Sequence, residues 1–182
     1  DKHIWDAQWS QIENDVENVG FDIAANLTDT WSLKTGFNYQ DFERIDMESY
    51  PSFQNMNPDG SGTVTQGGNY RHDKWRFRTA YVDLTTTADL AGTEHQLLFG
   101  ANWLGYSYYR GMDRFSSGEY APDATVPAPS VGPTSLGKMS TYDTWGFYIQ
   151  DLITINDEWQ VLAGARFDRK VSDGVAEENV AP

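Results

Sequence analysis

Cysteine is absent from the 182 residues. The chain therefore has no disulfide framework, no thiolate metal site and no cysteine nucleophile. Basic residues are scarce: 13 Lys and Arg stand against 27 Asp and Glu, a net charge of −14. That balance argues against nucleic acid, whose phosphates demand cations, and against docking on an anionic membrane surface through basic patches. The three histidines, His3, His72 and His95, lie far apart with no metal-ligand spacing, and solvated side chains are expected for all three. No run approaches the roughly 18 apolar residues of a membrane-spanning helix. Asp1 to Ser10 is polar and has no signal-peptide apolar core. No Ser/His/Asp or paired-carboxylate constellation stands out, so no catalytic residues and no enzyme are expected.

What is present is aromatic. Phe, Trp and Tyr make up 14% of the chain, with seven Trp and ten Tyr, although the mean hydropathy is −0.60. Trp and Tyr favour places with one wet and one apolar side, and the commonest of these is a membrane interface. A membrane protein without apolar helices has to be a closed β-barrel, because only closure satisfies every backbone polar group in lipid.

Period-two alternation supports strands. Val19, Phe21, Ile23, Ala25 and Leu27 alternate with Gly20, Asp22, Ala24, Asn26 and Thr28. Trp31, Leu33, Thr35, Phe37 and Tyr39 alternate with Ser32, Lys34, Gly36, Asn38 and Gln40, and a short turn at Thr28-Asp29-Thr30 makes the two a hairpin. A third strand is predicted over about 73–87, with Trp75, Phe77, Thr79 and Tyr81 against Arg76, Arg78 and Ala80. A blurred parity at Val82-Asp83-Leu84 is read there as a bulge. The fourth follows a turn at Ala91-Gly92-Thr93 and carries Leu97, Phe99, Ala101 and Trp103 on one face. The fifth and sixth, built on Trp145 to Ile155 and Trp159 to Phe167, flank a turn at Asn156-Asp157-Glu158. A seventh is a candidate over Trp5 to Ile12.

Tight turns alternate with long connections, predicted over about Asp46 to His72 and Gly111 to Ser140. Loops that long are uncommon in compact soluble domains, whereas outer-membrane barrels have short turns on one side and long loops on the other. Trp31 and Trp159 just after short turns, with Tyr39, Trp75, Trp103 and Trp145 nearer the long loops, resemble two aromatic girdles. The competing reading is a soluble β-sandwich with aromatic core positions, whose strands are usually only ~5–6 residues long.

Three stretches carry a resemblance. Gly146-Phe147-Tyr148-Ile149-Gln150-Asp151 followed by Trp159-Gln160-Val161-Leu162-Ala163-Gly164-Ala165-Arg166-Phe167-Asp168-Arg169 resembles a hairpin of TonB-dependent siderophore receptors, with Phe167 where Tyr is usual. His95-Gln96-Leu97-Leu98-Phe99-Gly100-Ala101-Asn102-Trp103 resembles the preceding strand, and Val19 to Tyr39 an earlier hairpin. The three fall in family order and cover most of residues 15–170; the ferrichrome/hydroxamate subgroup is the most similar. The resemblance implies an all-β fold: an antiparallel transmembrane β-barrel segment, part of a barrel of about 22 strands closed by an N-terminal plug. It implies outer-membrane localisation in a Gram-negative bacterium, uptake of ferric siderophores, and coupling to the TonB complex through other parts of the receptor. Outer-membrane lipid and a ferric siderophore are the expected partners, with no nucleic acid and no resident metal or cofactor. Residues 1–182 are expected to be a partial barrel domain of about six clear strands, without plug or C-terminal strands. The alternative is a small structural or adhesion-type barrel.

The candidate ligand residues are aromatic and basic: Tyr50, Phe53, Tyr70 and Arg71 in the first long connection, Tyr106, Tyr108, Tyr109 and Arg110 where the fourth strand leaves the membrane, and Phe115 and Tyr120 in the second long connection. An organic chelate suits aromatic walls with a few polar donors, and the same tyrosines also fit a plain outer girdle. Arg76, Arg78 and the pair Arg166/Asp168 are placed on the lumen face, since Arg facing lipid costs ~2–4 kcal/mol at the midplane. Asn55-Met56-Asn57-Pro58-Asp59-Gly60 resembles the start of a calcium loop but lacks the closing Glu, so a glycine-rich turn is the reading. Glu177-Glu178 are expected in a solvated tail.

Overall fold

The computed structural model describes residues 6–132 and 134–181. Among the described residues seven strands form one sheet in sequence order: β1 (Gln11–Asn26), β2 (Trp31–Gln54), β3 (Thr63–Leu90), β4 (Thr93–Tyr120), β5 (Gly137–Thr154), β6 (Gln160–Ser172) and β7 (Val175–Ala181). A single sheet excludes the sandwich, which needs two.

The three tight turns fall where the sequence places them. Two share one construction. Leu27 N donates to Trp31 O at 2.8 Å and Thr28 Oγ1 accepts from Trp31 N at 3.0 Å. Ile155 N likewise donates to Trp159 O at 3.0 Å and Asn156 Oδ1 accepts from Trp159 N at 3.0 Å. A short polar side chain here replaces a backbone acceptor. Ala91 (φ 53°) and Gly92 (φ 84°) make the third, both left-handed as a two-residue hairpin requires.

Register fixes the faces. Phe147 lies opposite Phe167, which lies opposite Val180; Ile149 faces Ala165 and Ile153 faces Val161. On the other face Gly146, Asp168 and Asn179 are in line, as are Tyr148, Arg166 and Ala181. The apolar face is open. Among the described residues only Ala7, Val64 and Tyr70 are buried apolar side chains, whereas Val19, Phe147 and Val180 are 66%, 51% and 69% exposed. A soluble sheet buries this face, so the distribution is that of a wall with an apolar medium on one side.

The residues form two compact units. One holds the chain up to Val16, Phe42–Trp75 and Tyr108–Met139; the other holds Glu17–Asp41, Arg76–Ser107 and the chain from Ser140. In the second unit, the polar face is tied by Tyr81 Oη donating to Asp22 Oδ1 at 2.7 Å, by Tyr148 Oη donating to Asp83, and by Arg166 donating to Asp168 (2.6–2.9 Å) and to Asn102 Oδ1 (3.1 Å). Tyr148 lies across Gly100 and Arg166 across Gly146, where an added Cβ would come within 2.1 Å of each.

Several expectations are corrected. The long connections are shorter, 55–62 and 121–136, because β2 to β5 run on past the point where apolar alternation fades. In the first of them, strand character persists through ion pairs from Arg71 to Asp46 and Glu48, which alternation of hydrophobicity does not register. The seventh strand is C-terminal: Asp173 (φ 48°) and Gly174 (φ 84°) form a two-residue hairpin, and Glu177 and Glu178 face Lys170 and Arg169 in β7 instead of trailing in a tail. Trp5 lies outside the described residues, and Gln11 and Ile12 begin β1.

No bulge is needed at 82–84. Tyr81 and Asp83 bond polar-face partners while Val82 and Leu84 sit with Phe99 and Phe147 on the apolar face. Arg76 and Arg78 therefore share the parity of the apolar face, and Arg76 Nε donates to Asp41 at 3.0 Å. Trp75 takes the opposite parity and is not a girdle residue. His72 and His95 are not freely solvated: His72 Nε2 lies 2.6 Å from Glu43 and His95 Nδ1 lies 2.7 Å from Asp151. His3 lies outside the described residues. Asn55 to Ser61 is the expected turn, with Asn57 N donating to Ser61 O at 2.7 Å and Asp59 Oδ1 accepting from Ser61 N at 2.9 Å.

Candidate ligand-binding face

The first unit carries its chemistry on the parity of Arg44, Asp46, Glu48 and Tyr50 in β2, Asn69, Arg71, Asp73 and Trp75 in β3, and Tyr108 and Arg110 in β4. At the centre is Asp73, whose side chain is fully buried. Its Oδ1 accepts from Tyr108 Oη and Arg110 Nε, both at 2.7 Å, and its Oδ2 accepts from Arg44 Nη2 at 3.0 Å. Arg71 Nε lies 3.1 Å from the same Oδ2 as an ion pair. Three guanidiniums thus converge on one carboxylate.

A buried carboxylate is unfavourable unless paired and hydrogen-bonded. Burial alone would raise the Asp73 pKa, but the bonds from Arg110, Tyr108 and Arg44 outweigh it and hold the group below its usual range. Burial, with the bond to Asp73, pushes Tyr108 up to about 12, so this hydroxyl stays a donor. The bond to Asp73 likewise holds Arg110 charged.

Arg71 also contacts Asp46 and, at 3.1 Å, Glu48. Asp46 is buried and its pKa is raised, first by burial and then by the neighbouring Glu48 charge, against the pull of Arg71. Glu48 is lowered, chiefly by the hydrogen bond that Tyr50 donates to it. Asn69 Nδ2 donates to Tyr50 Oη at 2.7 Å.

Rings stack beside these charges. Phe42 and Trp75 are 4.9 Å apart at 20°, and Trp75 and Tyr108 are 5.1 Å apart at 6°. The Arg44 guanidinium lies 5.2 Å from the Trp75 ring and that of Arg110 lies 5.3 Å from Tyr108, within cation–π range.

Of the sequence candidates, Tyr50, Arg71, Tyr108 and Arg110 are brought together here. Tyr70 is buried on the opposite parity with Val64 and Gln66. Phe115 also lies away, edge-on to Trp9 at 5.4 Å and against Gly68. Phe53 is exposed near the end of β2, Tyr109 has the parity opposite to Tyr108, and Tyr120 donates to the Ser117 carbonyl at the end of β4. Tyr106 belongs to the other unit, stacked on Tyr142 (4.6 Å) and tilted against Phe77 (5.3 Å).

Sequence reasoning missed Phe42, Arg44, Asp46, Glu48 and Asp73. Carrying the period of two through 42–50 and 69–75 would have put acids and arginines opposite one another. Among the described residues no group of three or more His, Asp or Glu side chains is arranged to hold a metal ion.

This wall, with an open apolar face, tight turns on one side and strands of up to 28 residues, agrees with a family model. The family described as TonB dependent receptor-like, beta-barrel matches residues 1–180. The chain belongs to this family. It is therefore part of an outer-membrane β-barrel of the kind found in Gram-negative bacteria. The metal-pseudopaline receptor CntO of Pseudomonas aeruginosa is 25% identical over 172 residues, which is 90% of this chain and 23% of that protein. The crystal structure of BauA, the ferric preacinetobactin receptor of Acinetobacter baumannii, matches with a TM-score of 0.70 at 14% identity, over 97% of this chain and 28% of that one. The chain thus spans about a quarter of the length of each relative. About 9–11 tilted residues cross a membrane, so the 28 residues of β3 and of β4 each exceed one crossing.

Proposed function

We propose that this chain forms part of the barrel wall and outer strands of a receptor that takes up ferric siderophores, with energy delivered by the TonB complex through other parts of the receptor. The reading rests on one observation: the chain belongs to a receptor family in which two relatives are, by name, receptors for chelated metal. The geometry is compatible with it. Tyr50, Arg71, Tyr108 and Arg110 share one parity in the first unit, and a bulky organic chelate is met by such a mixture of rings and donors. Outer-membrane lipid covers the opposite, apolar face. Iron arrives already chelated, so it is cargo and needs no protein ligands. The ferrichrome/hydroxamate subclass is the specific cargo that the sequence resemblance favours; neither named relative adds support for it.

The test is accumulation of iron-55 presented as a panel of ferric siderophores by cells with and without the receptor gene, each with and without TonB. Uptake of at least one chelate that vanishes on losing either gene is expected. Uptake of every chelate unchanged by deletion of the receptor gene would overturn the proposal.

A further inference from the structure

Arg78 differs from the other arginines of the second unit. Arg76, two positions away on the same face, donates to Asp41 at 3.0 Å. Arg166 is held by Asp168 and Asn102, and Arg169 lies 3.6 Å from Glu178. Arg78 is exposed and makes no hydrogen bond, ion pair or ring contact with the described residues. It also has the parity of Val82 and Leu84, which belong to the apolar face. An arginine on such a face is unfavourable at the membrane midplane and tolerated near the headgroups, where its long stem lets the charge reach polar surroundings.

Four residues along β3 from Arg78, about 13 Å at the rise of an extended strand, Val82 opens a groove of about 600 Å³. Phe99, Phe147 and Phe167 line it beside the short Ala101 and Ala165. Phe99 and Phe147 are 38% and 51% exposed, so the groove is open along its length. Beyond it, on the same parity of β4 and β5, come Trp103 and Trp145, with ring centroids 5.8 Å apart. Trp103 Nε1 donates to Asp143 Oδ1 at 3.0 Å. Indoles with an apolar body and a satisfied N–H are at home at headgroup level. On three strands, then, the apolar face ends in indole or cation, and all of these residues lie in the second unit.

Shape and charge name one kind of occupant. A groove lined by phenyl rings takes an acyl chain, and an unpaired guanidinium fork matches the oxygens of a phosphate. A phosphate-bearing membrane lipid carries both, with the phosphate at one end of the chain.

We propose that this face holds one lipid at a fixed site, with an acyl chain in the groove and the headgroup phosphate on Arg78. The site rests on the lipid-covered reading of the apolar face given above, and it distinguishes one bound molecule from the surrounding bilayer.

The experiment titrates the intact receptor, in nonionic detergent micelles, with phosphatidic acid and with diacylglycerol of the same chains. Bound lipid is resolved by native mass spectrometry. The wild type should bind phosphatidic acid about fivefold more tightly, the scale of one basic side chain meeting an anionic lipid. Arg78→Gln, at an exposed position without a described partner, should abolish that advantage. Ala165→Phe, which fills the groove, should weaken both lipids and leave their ratio unchanged. Excess inorganic phosphate should displace neither. Equal binding of the two lipids by the wild type, an advantage that survives Arg78→Gln, or displacement by inorganic phosphate would each overturn the site and leave the apolar face a general lipid contact. Failure of both lipids to bind would remove the lipid reading of that face, and this proposal with it.

Discussion

The two units solve the same problem, holding long strands in register, with different materials. In the unit built from Glu17–Asp41, Arg76–Ser107 and the chain from Ser140, one face is apolar and open, and the other relies on isolated links: Tyr81 to Asp22, Tyr148 to Asp83, Arg166 to Asp168. In the unit containing Phe42–Trp75 and Tyr108–Met139, register is held by a continuous charged cluster on Asp73 with stacked rings beside it. The first kind of strand leaves its apolar face open. The second kind draws its cohesion from charges that are satisfied by one another. A polar strand can thus be as ordered as an apolar one, provided that its side chains pair across strands.

The sharpest way to break this contrast is to remove the common carboxylate. Asp73→Ala leaves three guanidiniums without their shared anion, and breaking a buried charge cluster on one side costs ~3–5 kcal/mol. The matching change in the other unit, Asp83→Ala, removes one tyrosine's acceptor and should cost only ~1–3 kcal/mol. Urea titration of the intact receptor in detergent micelles checks this; equal losses would show that Asp73 does not organise its unit.

The apolar face gives the next largest effect. Phe147→Arg places a cation among Phe99, Ile149, Phe167 and Val180, where facing lipid costs ~2–4 kcal/mol near the midplane. The same substitution at Asn69, on the charged parity of the other unit, should cost well under half of that. Refolding into bilayers, monitored by the heat-dependent shift in gel mobility, measures both. A variant at 147 as stable as wild type would contradict the lipid assignment of that face.

Much of this organisation is legible in the sequence, and unevenly so. Alternation gave the six membrane-crossing strands, and Thr28-Asp29-Thr30, Ala91-Gly92 and Asn156-Asp157-Glu158 gave their turns, because hydrophobic period and turn chemistry are local signals. The sequence reading broke down where the partner of a side chain lies on another strand. Arg44, Asp46 and Glu48 look like solvated loop residues until Arg71 and Asp73 are set opposite them. The faces of β3 come out inverted for the same reason: alternation assigns Trp75 and Phe77 to the apolar face, yet Trp75 stacks on Tyr108 and Phe77 lies tilted against Tyr106. Asp173-Gly174 carries a hairpin signal, masked by the acidic Glu177 and Glu178, which resemble a tail until Lys170 and Arg169 are set opposite them.

Close packing on the polar face sets a third, smaller effect. An added Cβ at Gly100 would sit 2.1 Å from carbons of the Tyr148 ring. Gly100→Val forces that ring off its site and away from Asp83, at a cost of ~1–3 kcal/mol for overpacking. Gly137, whose nearest neighbour to an added Cβ is 3.7 Å away, should accept Ala within about 0.5 kcal/mol. Restoring stability by pairing Gly100→Val with Tyr148→Ala would identify the ring as the cause; no restoration would place it in the backbone.

The smallest effect separates two carboxylates of one cluster by sign. Asp73 is held below its ordinary pKa of 3.8, so its contribution to stability is present above that value and is lost as pH falls through the lower folded pKa. Asp46 is raised above 3.8, burial and the Glu48 charge exceeding the pull of Arg71. Its sign is reversed: the folded state holds the proton more tightly, so stability declines as pH rises from 3.8 through the folded pKa. Asp46→Asn fixes the neutral form. Relative to wild type, the variant should therefore improve as pH is raised through that window and level off beyond it. The short ion pair with Arg71, taken alone, argues for the opposite trend. Melting temperatures of the two receptors from acid to neutral pH decide the matter: a variant that loses ground with rising pH would mean that Arg71 dominates at Asp46, and that burial of this carboxylate is fully compensated.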